Sequence, residues 1–452
     1  MNVAVLGGGV TGLSAAWRLT VAGHTVRVID SGARLGGVVR TENVDGWVVE
    51  AGPTSLIRSR PEIDPILAEL GLDSEVVAAS PAAANRYLVK NGALVALPTP
   101  SDLGALVATP LLGFGAKLKI SSEVARSPRS RDKDVSVADL VRDHFGGEVL
   151  ERVVQPFIGG IFAGDAERLS VQHAFPKLWE AERTVGSLVR AGLEGAKKRK
   201  GAGLDASPSI ISFRRGLQAL PDALAARLAP GSAIPESSVR SIARGTTARW
   251  RVDWEGPLGA GTGQFDCVLA ALPASSLAAL EIGGKRALAG LADIAYPPVA
   301  SVTLGYARDR VRHPLDGFGA LVPATEKRSI LGIIFSSSLF PGRAPEGHVA
   351  LTVFAGGALQ PEIARLPPAE LIRRVGADLQ ALLGAQGQPV FVRHTLWPTA
   401  IPQYNLGYER HLEAMAKCEK EHPGLLIGGN VRDGISLADC ILSGTTLAAR
   451  AS

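Results

Sequence analysis

Apolar positions recur along this chain with two periods, and the switches between them mark out the elements. Val3-Ala4-Val5-Leu6 is an unbroken apolar run after Asn2, the pattern of a short buried strand. From Thr11 to Ala22, residues Leu13, Ala16, Trp17 and Val21 fall at helical spacing, so a helix is predicted, stopped by Gly23-His24. Thr25 to Asp30 reads as the next strand, which completes a βαβ unit and implies a parallel sheet. Residues 134–200 read as helical. One helix opens at Asp134–Asp139 and another runs over Glu148–Val154. That region ends in Lys197-Lys198-Arg199-Lys200-Gly201-Ala202-Gly203, expected as a flexible, solvated basic loop or, on a sharper reading, as a contact with anionic lipid head groups. Residues 208–275 return to short strands and a helix, and 296–356 mostly to strands, with alternation in Val299–Leu304 and Val349–Phe354. Residues 368–385 carry an amphipathic helical pattern. Leu425–Asn430 reads as a strand entering a glycine turn, followed by a helix from about Leu437 to Arg450.

The stretch 92–117 is the most apolar, but Pro98, Pro100, Asp102 and Pro110 interrupt it. It suits helices lying on an apolar surface, or ordinary core helices, better than a membrane span of ~20 residues. No signal peptide is expected, because Met1-Asn2 leads straight into the first strand without a basic region. Length adds a domain count: 452 residues allow about three domains. With 46% apolar and 20% charged residues, wholesale disorder is excluded. Cys267, Cys418 and Cys440 are too few and too scattered for a disulfide framework or a zinc site, so no metal and a reducing compartment are expected. The net charge of +5 permits contact with an anionic membrane or an acidic substrate.

Gly7-Gly8-Gly9-Val10-Thr11-Gly12 holds Gly-x-Gly-x-x-Gly at Gly7, Gly9 and Gly12, between a strand and a helix. Gly7 permits the tight turn, Gly9 lets the backbone approach a pyrophosphate on the helix N-terminus, and Gly12 permits close helix–strand packing. Asp30, at the end of the second strand, is placed to accept hydrogen bonds from a ribose, with Ser31 beside it. Arg34-Leu35-Gly36-Gly37 follows, and favours FAD over NAD: Gly36 and Gly37 let the backbone pass close to a flavin nucleotide, and Arg34 can reach its phosphates. Gly52-Pro53 makes another turn near the same sheet edge. Gly429-Asn430, followed by Ile435-Ser436-Leu437, offers a nest beside a helix start, suited to the ribityl and ring end of the flavin. Glycine elements at both ends of the chain imply a discontinuous FAD domain.

With these residues in view, the sequence resembles the protoporphyrinogen oxidases, flavoproteins of haem synthesis within the amine-oxidase-like superfamily. The resemblance covers nearly the whole chain. It rests on Ala84-Asn85-Arg86-Tyr87-Leu88, Gly146–Arg152, Pro156–Asp165, Ser212–Leu217, Leu315–Gly319, Leu331–Pro341, Ile401-Pro402-Gln403-Tyr404 and the C-terminal glycine turn. The Phe162-Ala163-Gly164-Asp165 block is far more specific than any dinucleotide motif. Two departures stand out: Asp30 where the family commonly has Glu, and Asn430-Val431-Arg432 in place of an aromatic pair.

The resemblance implies a mixed α/β and α+β fold in three regions. These are a discontinuous Rossmann-like FAD-binding domain (1–60, 205–273 and 418–452), an antiparallel-sheet substrate domain (61–91 and 274–417) and a helical membrane-associated domain (92–204). It also implies that Val239 and Trp397 join the cofactor site. Arg86 would pair with a substrate propionate, and Phe157, Gly160, Ile161, Phe318, Leu321, Ile334 and Phe354 would line the pocket. The implied reaction takes protoporphyrinogen IX to protoporphyrin IX, with FAD as cofactor and oxygen or a quinone as final acceptor. The implied setting is cytoplasmic, on the inner face of the cell membrane; a homodimer is compatible with it, and no nucleic-acid partner is expected. No catalytic acid or base stands out among the dispersed histidines. The rivals are coproporphyrinogen III oxidation, a flavin amine oxidase, a carotenoid desaturase, and a flavin-free binding protein of the GDP-dissociation-inhibitor type.

Overall fold

A computed structural model describes residues 1–58, 60–98, 108–201, 209–245, 249–257 and 259–452. Pro100, Asp102, Ala202 and Gly203, named above, lie outside the described residues. A five-stranded parallel sheet runs in the order Ala233–Ile234, Thr25–Ile29, Asn2–Leu6, Cys267–Ala270, Leu425–Ile427. Its strands come from the start, middle and end of the chain. Helix Val10–Val21 follows the first strand and packs on the C-terminal helix Leu437–Ala451, where a Cβ on Gly444 would lie 2.3 Å from the Thr11 carbonyl oxygen. A four-stranded sheet orders Gly259–Phe265, Trp250–Gly256, Ser238–Arg244 and Glu281–Ile282.

A seven-stranded sheet forms the other half, in the order Phe391–Trp397, Val299–Ala307, His348–Gly356, Gly332–Ile334, Gly317–Leu321, Asn85–Lys90, Ala93–Ala96. Its pairs are antiparallel except Gly317–Leu321 with Asn85–Lys90, which is parallel. Helix Pro368–Leu383 covers one face, burying Leu371, Val375 and Leu379 against Val302, Ile333 and Val353. The strand Val299–Ala307 is buried on both faces nearly throughout, because its other face is covered too. The core of the helical region is continuous with that of the parallel sheet: Leu140, Val141 and Phe162 share one buried cluster with Leu6, Ile29 and Ala270.

Three expectations are corrected. Ala93–Ala96 is a strand, not the start of a surface helix, and it extends the seven-stranded sheet past the boundary set at residue 92. The cause is the Asn91-Gly92 pair, whose φ angles of 52° and 74° form a tight hairpin turn. The basic run is not a loop: helix Leu188–Gly201 continues through Lys197 and Lys198. Leu150–Val154 is a wide π turn leading into helix Gln155–Phe162, because Pro156 has no N–H to return to the Arg152 carbonyl.

The hairpin formed by Thr41–Val44 and Trp47–Glu50 turns through Asp45-Gly46, with φ of 49° and 80°. It reaches across to the seven-stranded sheet. There the Trp47 ring stacks on Phe391 with centroids 4.7 Å apart. It also occupies the place a side chain on Gly305 would take, since a Cβ there would be 2.3 Å from the ring. Removing so large a buried ring leaves a cavity as well as lost transfer energy, so Trp47→Ala should cost about 3–5 kcal/mol. The expected result is a clearly lower thermal unfolding midpoint by circular dichroism; an unchanged midpoint would mean that the hairpin does not carry the junction.

Candidate functional site

The glycine loop is organised by backbone contacts. Gly7 has φ 98°, and a Cβ on Gly12 would lie 1.8 Å from the Gly7 carbonyl oxygen, so only glycine lets the helix sit this close to its strand. Gly9 caps helix Val10–Val21, and among the described residues no side-chain cap hydrogen bond closes this N-terminus. A Cβ on Gly9 would meet no protein atom within 4 Å. A helix N-terminus with free amides and open space beside its cap fits a pyrophosphate, so the residues present suit the nucleotide half of FAD.

Asp30 and Arg34 do more structural work than expected. Both Asp30 oxygens accept backbone N–H groups, Oδ2 from Gly8 at 2.6 Å and Oδ1 from Gly32 at 2.7 Å. The carboxylate thereby pins the glycine loop, with one lone pair left on each oxygen for a ribose. Arg34 is also held by the chain itself: Nη1 and Nη2 donate to the carbonyls of Leu35, Gly37 and Val39 and to Gln218 Oε1. It holds the Gly36-Gly37 segment closed against the first loop, where the Gly36 amide donates to Gly8 O at 2.8 Å. Ser31 is exposed after Asp30. Val239 lies two residues beyond Ser237, whose amide donates to Asp30 O at 2.8 Å.

Gly52 and Pro53 follow the hairpin. Trp397 Nε1 donates to Ala51 O at 2.7 Å, and its ring lies beside Gly52. At the C-terminal turn, Gly429 has φ 102° and its amide donates to Ser443 Oγ at 2.8 Å and Asp433 Oδ2 at 3.1 Å. The Asn430 carbonyl accepts the Tyr404 hydroxyl at 2.5 Å, and the Val431 carbonyl accepts that of Tyr408 at 2.7 Å. Burial drives both phenol pKa values upward, so both stay protonated donors. Ile435 leads to Ser436, which caps helix Leu437–Ala451 by accepting the Asp439 amide at 3.1 Å.

The substrate-side candidates converge on one face of the seven-stranded sheet. Opposed residues share a face, and the register aligns Arg86 with Gly319, Gly319 with Ile334, and Ile334 with Thr352. One pleat along, Leu321 opposes Gly332, and Gly332 opposes Phe354. Arg86, Leu321, Ile334 and Phe354 therefore point the same way. At about 4.8 Å per strand, Arg86 lies about 10 Å from Ile334 across the sheet. Helix Gln155–Phe162 covers one half of this face: a Cβ on Gly160 would lie 2.6 Å from Leu321 Cδ2. Phe157 and Ile161, on the same helix, are 47% and 40% exposed, which leaves an apolar wall open to a ligand. The hairpin covers the other half, through Trp47 on Phe391, Glu42 to Arg393 at 3.2 Å, and the Ala51–Trp397 bond. Phe318 sits at the bulge before Gly319 and packs with Ile334 on Leu339 and Phe340. Arg86 is exposed and makes no ion pair among the described residues.

Sequence reasoning missed four groups. The first is a buried hydroxyl chain on the same face, Thr303 Oγ1 to Thr352 Oγ1 at 3.0 Å and Thr352 Oγ1 to Ser336 Oγ at 2.8 Å. The second is Gln403, whose Nε2 donates to Phe162 O at 2.8 Å and so ties two signature blocks together. The third is Asp433, described above. The fourth is Glu50 with Arg343, both buried, Oε1 to Nη2 3.9 Å. Glu50 Oε1 also accepts the Leu217 amide at 2.8 Å, and Oε2 accepts the Thr41 hydroxyl at 2.7 Å. An acid closing a strand whose partner strand offers Thr opposite it, as Glu50 does with Thr41, was the available signal. Elsewhere, Asp143, His144 and Glu182 lie close together, but Arg131 pairs with both carboxylates at 2.8 and 2.7 Å, so the group reads as an ion-pair network.

Burial pushes the Glu50 carboxyl up to about 7, against the opposing pull of the Thr41 hydroxyl, the Leu217 amide and Arg343. The same burial lowers the Arg343 pKa. A carboxyl whose folded pKa is raised binds its proton more tightly in the native state. Its stabilisation is complete below the unfolded value and is lost as pH rises through the folded value. Wild-type protein should therefore lose stability from this group between about pH 4.5 and 7, by up to about 3 kcal/mol. Glu50→Gln should flatten that part of the profile of thermal midpoint against pH; an identical slope in the variant would show that Glu50 does not titrate there.

A model of the flavin-containing amine oxidoreductases matches residues 10–452. Protoporphyrinogen oxidase 2, chloroplastic/mitochondrial, of Arabidopsis thaliana is 33% identical over 98% of this chain and 92% of its own length. Protoporphyrinogen oxidase of Bos taurus is 34% identical over 99% of this chain and 98% of its own. A crystal structure of a protein from Exiguobacterium sp. 255-15 shares the fold with TM-score 0.83 at 23% identity, covering 99% of this chain and 98% of that one. The chain belongs to the flavin-containing amine oxidoreductases and, within them, to the protoporphyrinogen oxidase family.

Proposed function

We propose that this FAD-dependent enzyme oxidises protoporphyrinogen IX to protoporphyrin IX, with oxygen or a quinone taking the electrons at the end. The observation that carries this reading is the apolar face of Leu321, Ile334 and Phe354, walled by Phe157 and Ile161 and bordered by the unpaired Arg86. A large, mostly apolar ring system with acidic tails fits such a surface. FAD supplies two-electron chemistry, so removal of six electrons takes three passages. The chain's part is to bind, orient and exclude water. The helix amides beside Gly9 hold the nucleotide, Trp397 and Gly52 border the ring end, and the sheet face presents the tetrapyrrole. No side chain is assigned as acid or base.

Charge favours the substrate with two propionates over coproporphyrinogen III with four. Of the two arginines on this face, Arg393 is committed to Glu42 and Arg86 alone is free among the described residues. Loss of a charge-assisted contact costs roughly 1.5–3 kcal/mol, or about 10- to 150-fold. Arg86→Ala should raise KM for protoporphyrinogen IX by that factor, with little change in kcat and full flavin content, because the propionate is bound alike in ground and transition states. Arg86→Lys should recover part of it. A KM within about twofold of wild type would remove Arg86 from the site.

We also propose peripheral attachment to the inner face of the cell membrane. Among the described residues no helix is long and apolar enough to cross a membrane. Helix Phe114–Glu123 does present Phe114, 83% exposed, and Leu118, 61% exposed, one turn apart and beside Lys117. Wild-type protein should float with anionic liposomes at low salt, and Phe114→Ser with Leu118→Ser should sink while retaining activity. Wild-type protein left at the bottom of the gradient would refute the attachment.

A further inference from the structure

The two halves of the site are built on different sheets, and something must set their spacing. We propose that Arg343 and Glu50 are a positioning pair that fixes the substrate-bearing face against the turn bordering the flavin. The proposal rests on the FAD-dependent reading above and goes beyond it in assigning residues that touch neither ligand.

Arg343 lies in the connection between strands Gly332–Ile334 and His348–Gly356, which carry Ile334 and Phe354. Its guanidinium stands 5.4 Å from the Phe340 ring centre, and Phe340 belongs to the cluster that packs Phe318 and Ile334. On its other side, Nη2 donates to Ser212 Oγ at 2.6 Å and Phe213 O at 3.1 Å, and faces Glu50. The Arg343 carbonyl accepts the Val48 amide at 3.3 Å, so backbone and side chain both grip the hairpin side.

Glu50 stands one residue before Ala51, whose carbonyl holds Trp397, and two before Gly52. Its carboxylate continues the connection. The Thr41 hydroxyl that donates to Glu50 accepts the Gln218 amide at 3.0 Å, and Gln218 Oε1 accepts Arg34 Nη1 at 3.2 Å. Arg34 in turn closes the Gly36-Gly37 segment on the nucleotide loop. A connected series of contacts therefore runs from the substrate-lining cluster, through buried Arg343 and Glu50, to the Gly36-Gly37 segment and to Gly52. Glu50 and Arg343, at its centre, are buried and have few alternative partners there, and that is what makes the centre of such a chain rigid.

The proposal is tested on FAD-saturated holoenzyme of Arg343→Met, Arg343→Lys, Glu50→Gln and the Arg343→Met/Glu50→Gln double variant. Misplacement by about 1 Å can cost as much as 10²-fold in rate, so Arg343→Met should lower kcat by about tenfold or more. KM for protoporphyrinogen IX should stay within about twofold, since Arg343 touches no substrate. The flavin visible band should shift, and Arg343→Lys should fall between Met and wild type because charge returns without the planar fork. The double variant should lose less than the product of the single losses, as coupled residues do. An unchanged kcat and flavin band in FAD-replete Arg343→Met, or strictly multiplicative losses, would overturn the pair. If neither Arg343 variant folds, Glu50→Gln decides: wild-type kcat and flavin band in that enzyme overturn the proposal, and a lowered kcat at unchanged KM supports it. If wild-type enzyme does not turn over protoporphyrinogen IX, the substrate reading fails by itself, and the flavin band of Arg343→Met against wild type still decides the positioning.

Discussion

The docking of one short hairpin on the seven-stranded sheet is the constraint on which the site depends. The parallel sheet provides a nucleotide cradle and the larger sheet an apolar face, yet neither contains a complete site. Thr41–Val44 and Trp47–Glu50 join them with three kinds of contact along ten residues. Trp47 on Phe391 provides apolar burial, Glu42 to Arg393 an ion pair at the edge, and Ala51 to Trp397 a backbone anchor at the flavin turn. Buried area alone would hold the surfaces together without fixing their angle. A buried carboxylate satisfied by a hydroxyl, an amide and a guanidinium has few orientations, and desolvation makes any other arrangement costly.

Local order was legible in the sequence and partner choice was not. The strand Asn2–Leu6, the glycine turn and helix Val10–Val21 follow from a pattern that needs only neighbours in sequence. The hairpin at Asn91-Gly92 carried an equally local signal, but the apolar stretch after it has no strict alternation, and a helical reading prevailed. Strand Val299–Ala307 hides its period because both faces are covered. Lys197 and Lys198 read as loop because charge runs are usually solvated, but solvation is equally available on the outside of a helix. Arg34 shows the deeper limit. Its place in a glycine-rich motif suggests a phosphate, but nothing in that motif announces its partners within the chain, the carbonyls that fold back on it and a glutamine 184 positions away. Glu50 and Arg343 are separated by most of the chain, and nothing short of the fold joins them.

The signature blocks gain a physical reason once the structure brings them together. Ala163 closes helix Gln155–Phe162 at φ 50°, a strained position for a residue other than glycine. It is held there from two sides: its carbonyl accepts the Ala358 amide at 2.7 Å, and Gln403 Nε2 grips the preceding Phe162 carbonyl. The next residue, Tyr404, reaches on to the Asn430 carbonyl in the C-terminal glycine turn. The blocks around 160, 403 and 430, with Ala358 beside them, are thus one contact chain, from helix Gln155–Phe162 to the C-terminal glycine turn. A change in any of them moves the wall relative to the cofactor turn. Specificity follows from the same economy of contacts. The face's hydroxyls bond one another and Arg393 pairs with Glu42 of the hairpin, so on the reading proposed above recognition rests on shape and on Arg86, which makes no ion pair among the described residues. Such a surface discriminates by the charge a ligand brings with it. Carboxylates beyond those that Arg86 and solvent can satisfy would be buried without partners, and that penalty grows with each one.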